Sequence, residues 1–201
     1  MSTQLRALGP WDETEFAWDE TERLDLGSLL ITAIPGIDIQ VQVDESTGAV
    51  ALVTLATADS GVQLQVFAAP KSGGLWDEAR PQIIASINES AGLVEEHIGT
   101  FGPEVWAQIP NEQGMQVVRF VGIEGPRWFL RAVFLGAAAR PSDAAVFMED
   151  AVRGLIVVRG NEAMPVGTPL VLTLPVIEDQ AEPEAPVLLP PERGPEITEI
   201  R

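Results

Sequence analysis

The chain lacks cysteine and tyrosine and has a single histidine, His97, and a single lysine, Lys71. The absence of cysteine excludes disulfides, a thiolate nucleophile and cysteine-based metal sites. With one histidine, a zinc site would need mostly carboxylate ligands, so we expect neither a metal nor a cofactor. The sequence has no run of 18 apolar residues, which argues against a membrane-spanning helix. No basic region followed by an apolar stretch opens the chain, so we expect no secretory signal.

Basic residues are scarce as well, since 12 Lys+Arg stand against 30 Asp+Glu and the net charge is −18. A chain this acidic is repelled by phosphate backbones, so we expect no direct nucleic-acid partner. The charge is concentrated at the two ends. Residues 1–26 contain seven acids and two arginines (2 − 7 = −5), and residues 175–201 contain the same numbers (again −5). The remaining −8 belongs to residues 27–174.

The two ends differ in apolar content, which suggests a division of the chain. We interpret residues 1–26 as an acidic N-terminal arm, and three aromatic residues lie among its acids: Trp11, Phe16 and Trp18. Such large apolar groups favour docking, either on the arm's own domain or on a protein partner. Residues 176–201 combine carboxylates with prolines, which predicts a disordered tail. A single folded domain over 27–175 then remains.

Alternating apolar and polar residues predict about seven strands. Three short segments joined by turn residues, in 37–44, 49–56 and 62–66, predict an antiparallel meander, because parallel neighbours need long crossovers. Four more strands are predicted over 94–98, 105–109, 115–123 and 127–135. Residues Leu170–Leu174 suggest a short terminal strand.

Two helices complete the pattern. One apolar stripe contains Trp76, Ala79, Ile83 and Ile87. Pro81 inside this segment is expected to kink or restart the helix. Ser142 is placed to cap a second helix. The order βββ-α-ββββ-α predicts an α+β fold, an antiparallel sheet with two packed helices. It resembles the PsbP-like fold in element order, an analogy that implies no function.

Four segments of the sequence form a specific set: Gly9-Pro10-Trp11-Asp12, Phe67–Glu78 (FAAPKSGGLWDE), Gly125–Arg131 (GPRWFLR) and Val158-Arg159-Gly160. Together they resemble an actinobacterial family of unknown function. The resemblance covers about residues 9–175 and implies an uncharacterised cytoplasmic bacterial protein. It brings no catalytic residues to this chain.

The candidate ligand-binding residues are basic. Arg119, Arg127 and Arg131 lie on the two strands of the last hairpin, and pairing is expected to bring Arg119 opposite Arg131. Such a cluster either pairs with the protein's own carboxylates or binds an anionic ligand or a partner's acidic segment. Trp128 and Phe129 take opposite faces, so we expect one in the core and the other at the rim of the site.

A second candidate anion site precedes the first helix. Gly73-Gly74 would present backbone N–H groups at its N-terminus, with Lys71 as a neighbouring cation. A simple helix-entry loop explains the same glycines, and no phosphate-binding fingerprint is present. His97 adjoins Glu95 and Glu96, and no Gly-x-Ser-x-Gly segment occurs, which predicts a surface histidine rather than a catalytic one.

These observations leave three hypotheses, none of which assigns a catalytic residue. The first is a non-catalytic binding or adaptor domain that engages a protein partner. The second is a small-molecule anion binder, or a weak enzyme, that uses the arginine cluster. The third is a structural homo-oligomer.

Overall fold

A computed structural model describes residues 8–44, 50–112 and 114–174 of the chain, and the tail expected over 176–201 lies outside them. The strands are β1 Trp11–Asp12, β2 Arg23–Asp25, β3 Leu29–Thr32, β4 Asp38–Val43, β5 Val50–Ala56, β6 Ser60–Ala68, β7 Leu93–Gly99, β8 Gly102–Asn111, β9 Gly114–Gly125, β10 Trp128–Gly136 and β11 Ile156–Val157. The helices are α1 Leu75–Glu89 and α2 Asp143–Arg153.

Seven strands form one antiparallel sheet in the order β4-β5-β6-β10-β9-β8-β7. The predicted α+β fold with a seven-strand antiparallel sheet and two packed helices is therefore confirmed. Pairing of β6 with β10 joins the β4–β6 meander to the last hairpin, with Phe67 opposite Phe129. The short strand predicted over Leu170–Leu174 is present only as isolated bridges, at Pro169 and Leu172.

The sequence pattern does not predict a second sheet of four strands, in the order β1-β11-β3-β2. Its strands are two to four residues long. Segments this short carry no readable alternation, because a two-residue period needs several residues to show. The first of them, β1, pairs in parallel with β11 near the end of the folded chain, so this sheet depends on contacts between distant segments.

The two helices begin as their sequences indicate. The hydroxyl of Ser142 accepts a hydrogen bond from the backbone N–H of Ala145 at 3.1 Å, which confirms it as the cap of α2. Helix α1 contains Pro81 and does not restart at it. No helix in the described residues has both the length and the apolar character that crossing a membrane requires.

Both faces of the large sheet are used. On one face, Leu64, Leu130 and Phe134 are fully buried with Met148 and Val152 of α2, and the small sheet adds to this core. On the opposite face, α1 packs over the β7–β9 side of the sheet. There, buried side chains from both layers form a second cluster: Trp76, Ile87, Val105, Ala107 and Phe129.

Residues 8–26 pack against the rest of the folded chain, which is the first of the two alternatives that the sequence left open for the arm. Asp12 is 4% exposed, and its carboxylate accepts a hydrogen bond from the indole N–H of Trp128 at 2.8 Å. Leu26 is fully buried in the larger core. Leu26 and the half-buried Trp11 and Phe16 are held here because burial of their apolar surface stabilises the fold.

Candidate functional site

A groove of about 510 Å³ lies between α1 and the large sheet. It is lined by Leu75, Ala79, Gln82, Ile83, Ser86, Ile87 and Ser90 of the helix, by Phe67, Ile109, Phe120, Phe129 and Arg131 of the sheet, and by Gly167. Small-ligand sites typically measure about 300–1,000 Å³ and are mostly apolar with a few polar groups. Arg131 is the charged residue of this lining.

The groove exists because α1 is buried mainly at its two ends. Trp76 and Ile87 are the buried residues of the helix, whereas Ala79 and Ile83 between them are only partly buried. The indole N–H of Trp76 donates to the backbone carbonyl of Pro103 at 2.6 Å, which fixes the first end to β8. The middle of the helix therefore leaves space above the sheet.

Glu124 of β9 occupies the N-terminus of α1. Its carboxylate accepts hydrogen bonds from the backbone N–H groups of Gly74, at 2.8 Å, and Trp76, at 2.9 Å. These are the donors that the sequence offered to an external anion, and a carboxylate at this position is favoured by the helix dipole. The anion at the helix N-terminus is therefore supplied by the chain itself. Lys71 is exposed beside this loop.

Aromatic rings form one end of the groove. Phe67 and Phe129 are paired across β6 and β10 with ring centroids 6.0 Å apart, and Trp76 stacks on Phe129 at 6.0 Å. Trp128 points to the opposite face and is fully buried in the larger core. The two neighbours therefore take opposite faces as expected, but both are buried: Trp128 lies in the larger core, and Phe129 lies in the second cluster and lines the groove.

Arg131 lies two residues after Phe129 and is half-buried. Its guanidinium donates to the side-chain carbonyl of Gln65, whose amide in turn donates to the carbonyl of Ala51 at 3.2 Å. The guanidinium carbon lies 5.6 Å from the ring centroid of Phe67. Its Nε is buried, and no described residue accepts a hydrogen bond from it. Burial removes water from this group and lowers the pKa of Arg131, which remains a cation.

Arg119 does not join Arg131, and the expected register is wrong. Arg119 pairs with Phe134 and Arg131 with Gly122, so the two guanidiniums lie on opposite faces of the sheet. Arg119 is 3% exposed, bonds to the carboxylate of Glu149 and lies 3.7 Å from that of Glu104. The alternative left open by the sequence, pairing with the protein's own carboxylates, therefore holds for Arg119.

Arg127 lies in the β9–β10 turn, with a positive φ of 63°, and is separated from Arg119 and Arg131. Its side chain donates to the carbonyl of Gly160 at 3.0 Å, and its own carbonyl accepts from Arg159 and from the backbone N–H of Ala69. The segments that carried the family resemblance thus bond to one another at this end of the sheet. Their internal bonds give these residues a structural role.

The aromatic residues of the N-terminus form a chain of edge-on contacts on the surface. Phe16 lies 6.2 Å from Trp11 and 5.6 Å from Trp18 between ring centroids, and the guanidinium of Arg23 covers Phe16 at 4.8 Å. Trp11 and Phe16 are half-buried, but Trp18 is 60% exposed. Packing on the domain accounts for the first two and leaves Trp18 open to solvent.

His97 lies on the exposed edge strand β7, as expected for a surface histidine. Its ring contacts that of Trp106 at 4.6 Å, and Nε2 lies 3.2 Å from the carboxylate of Glu95. In the part of the chain that the structure describes, no three His, Cys, Asp or Glu side chains are grouped to hold a metal ion.

Sequence reasoning found Arg131 and Phe129 but missed most of the groove. Phe67 and Phe120 read as ordinary strand residues, and Ala79 and Ile83 read as a core stripe. One signal was available: Ala79 is a small residue on the apolar stripe of a helix that has larger residues at both ends. A small residue at that place leaves a gap opposite the sheet.

Comparisons with known proteins add the following. Residues 9–181 match a family described as "Protein of unknown function (DUF3710)". No curated protein matches the chain. Among solved structures, the chain is similar to the solution structure of cyanobacterial PsbP (CyanoP) from Synechocystis sp. PCC 6803, with 9% identity and a TM-score of 0.41. The similarity covers 74% of this chain and 99% of that one, and no function is transferred on it.

Proposed function

This chain belongs to the DUF3710 family, whose function is unknown, and from that premise we propose that its domain is a non-catalytic binding module for a small anion with an apolar body. The ligand lies in the α1 groove, and Arg131 pairs with its anionic group. This proposal is the second of the hypotheses drawn from the sequence, with one arginine in place of three.

The observation that supports it is the state of Arg131. Among the described residues, no carboxylate lies within ion-pair distance of its guanidinium, although the chain has 30 acids. A desolvated charge without a counter-ion is costly, and a carboxylate that enters the groove offsets this cost through charge-assisted hydrogen bonds. Gln65 holds one nitrogen of the guanidinium and thereby orients its plane.

The rest of the lining requires the ligand to be partly apolar. Phe67, Phe120 and Phe129 form the sheet side, and Ile83 lies on the helix side. Burial of apolar surface contributes roughly 25 cal/mol per Å², so an alkyl or aryl body adds affinity that a bare anion lacks. The polar side chains of the helix, Gln82 and Ser86, are exposed at the rim.

The test uses octanoate, with octanol as the uncharged probe of the same length. Octanoate should raise the Tm of the protein and bind with a measurable Kd in isothermal titration, because it binds the folded state only. Arg131→Gln should weaken the binding of octanoate at least tenfold and leave the binding of octanol unchanged. Arg140→Gln, which removes an exposed arginine elsewhere, is the matched control. Equal octanoate affinity in the wild type and Arg131→Gln would overturn the proposal.

A protein partner remains a second candidate, and the exposure of Trp18 favours it. An indole that is 60% exposed and backed by Phe16 is the kind of aromatic group that anchors interfaces. Because Asp12 and Leu26 are buried, deletion of residues 1–26 would disturb the fold, so the test replaces Trp18 alone by Ala. A partner captured by the wild type should be lost with Trp18→Ala and kept with Arg131→Gln. Retention by both variants would contradict this docking site.

A further inference from the structure

We infer that the ligand of the α1 groove carries a sugar-like, uncharged and hydroxyl-bearing head beside its anionic group, and that this head lies over the half of the sheet that α1 leaves open. The inference rests on the proposed function and names the class of ligand more closely. Its basis is a set of amide side chains on the same face of the sheet: Gln65 opposite Arg131, and a row two residues along from it that contains Gln63 and Gln40.

The open half of the sheet consists of the Arg131 face of β4, β5 and β6. Cross-strand pairing places Gln40 opposite Thr54 and Thr54 opposite Gln63, which makes one continuous row. Gln65 is opposite Arg131, and Gln42 lies on the same face of β4 as Gln40. Because side chains alternate between faces, all of these point to the side of the sheet on which the groove lies.

In the described residues, no helix covers this half of the sheet. Helix α1 contacts β7, β8 and β9, and α2 packs on the opposite face. Gln40 and Gln42 are exposed, and Thr54 and Gln63 are half-buried. No hydrogen bond to a described residue engages the amides of Gln40, Gln42 or Gln63.

The chemistry of this surface differs from that of other exposed positions. Strand β7 presents Glu95 and Glu96 to solvent, as expected in a chain of net charge −18. The open half instead presents amides and the hydroxyl of Thr54 beside the half-buried Leu52 and Val133, and Asp38 is the acid at its margin. An amide side chain donates and accepts hydrogen bonds, which matches hydroxyl groups, and it attracts neither a cation nor an anion strongly.

The amide surface is continuous with the proposed anion site. Gln65 belongs to both, since it accepts from Arg131 and donates to the carbonyl of Ala51 in β5. Gln63 lies one strand from Arg131 and Thr54 two strands, and both are two residues along from the Gln65–Arg131 pair. With strands spaced by about 4.8 Å and a rise of about 3.4 Å per residue, these offsets correspond to roughly 8 and roughly 12 Å. A head of one sugar ring attached near the anionic group therefore reaches these amides while its apolar body stays in the groove.

Three probes with the same eight-carbon chain test the inference. Octyl β-D-glucuronide has both the carboxylate and the hydroxyls, octanoate has only the carboxylate, and octyl β-D-glucoside has only the hydroxyls. For the wild-type protein, we expect the glucuronide to bind at least fivefold more tightly than octanoate and the glucoside to bind most weakly. Isothermal titration of the full chain gives the three Kd values.

Variants test whether the amide side chains cause the difference in affinity between the glucuronide and octanoate. Gln40→Ala/Gln63→Ala should bring the glucuronide to the affinity of octanoate and leave octanoate unchanged. Gln108→Ala removes an exposed glutamine of β8 on the face of the sheet opposite the groove, and it should change neither the glucuronide affinity nor the octanoate affinity. If octanoate binds and the glucuronide binds no better, or if the double variant keeps the difference, the inference is overturned and the proposed function stands. If neither anion binds, the proposed function fails and this inference with it.

Discussion

The indole of Trp76 lies directly over Gly122, and a Cβ built on that glycine would come within 2.2 Å of Trp76 Cδ2. The two residues are 46 positions apart (122 − 76) and belong to α1 and β9. Their contact brings the N-terminal end of the helix against the sheet, while Ala79 and Ile83 leave space further along. The groove therefore depends on a glycine that is not itself part of its lining.

Gly122→Ala should destabilise the protein by about 1–3 kcal/mol, because overpacking forces the ring of Trp76 or the backbone to move. Urea unfolding measures the loss, and a change in tryptophan emission reports the displaced ring. Gly61→Ala is the matched control, since its new Cβ would meet its nearest atom, the carbonyl oxygen of Leu55, at an ordinary 3.6 Å. Equal stability of the two variants would contradict the contact.

Arg119→Met should lower the free energy of unfolding by about 3–5 kcal/mol. The change leaves the buried carboxylates of Glu104 and Glu149 without their shared cation. Adding Glu149→Gln to this variant should recover part of the loss, because it removes one of the two uncompensated charges. Arg140→Gln is the exposed control, and a loss below about 1 kcal/mol for Arg119→Met would count against the buried cluster.

Glu124→Ala should destabilise the protein by about 1–2 kcal/mol, as expected for loss of a helix cap. The backbone N–H groups of Gly74 and Trp76 lose their acceptor, so their hydrogen exchange should accelerate relative to the rest of α1. Glu124→Gln keeps a carbonyl oxygen at the helix N-terminus and should lose less. Glu162→Ala, at an exposed loop position, should leave exchange in α1 unchanged.

Asp19 provides a pH-dependent prediction. Its pKa is lowered from 3.8, first by the hydrogen bond from Arg23 and then by the backbone N–H of Thr21. A lowered pKa in the folded state means that the ion pair adds stability above the unfolded pKa, and that this stability is lost as pH falls through the folded value. Arg23→Gln should raise the pKa of Asp19 toward 3.8 in an NMR titration. Arg80→Gln, which breaks a distant ion pair, should leave it unchanged.

Most of the large sheet was predictable because its strands carry a local signal. Strands β4 and β6 alternate clearly, and turn residues separate the strands of the meander. The fold class and the order of the strands along the chain therefore follow from short segments. The pairing of β6 with β10 and the four-strand sheet were not predictable, because they join segments far apart in the chain. The error at Arg119 has a local cause: the turn consists of Pro126 and Arg127, so Gly125 pairs with Trp128 and Arg119 with Phe134.

The sequence by itself determined the α+β class, the two helices and the cap at Ser142, because each depends on the spacing of neighbouring residues. It also singled out Arg131 as a candidate. Only the tertiary structure decided what surrounds each arginine: Arg119 is neutralised in the core, whereas Arg131 lies half-buried at an apolar groove. The reason is physical, since the cost of a buried charge depends on the groups that packing brings within a few ångströms of it.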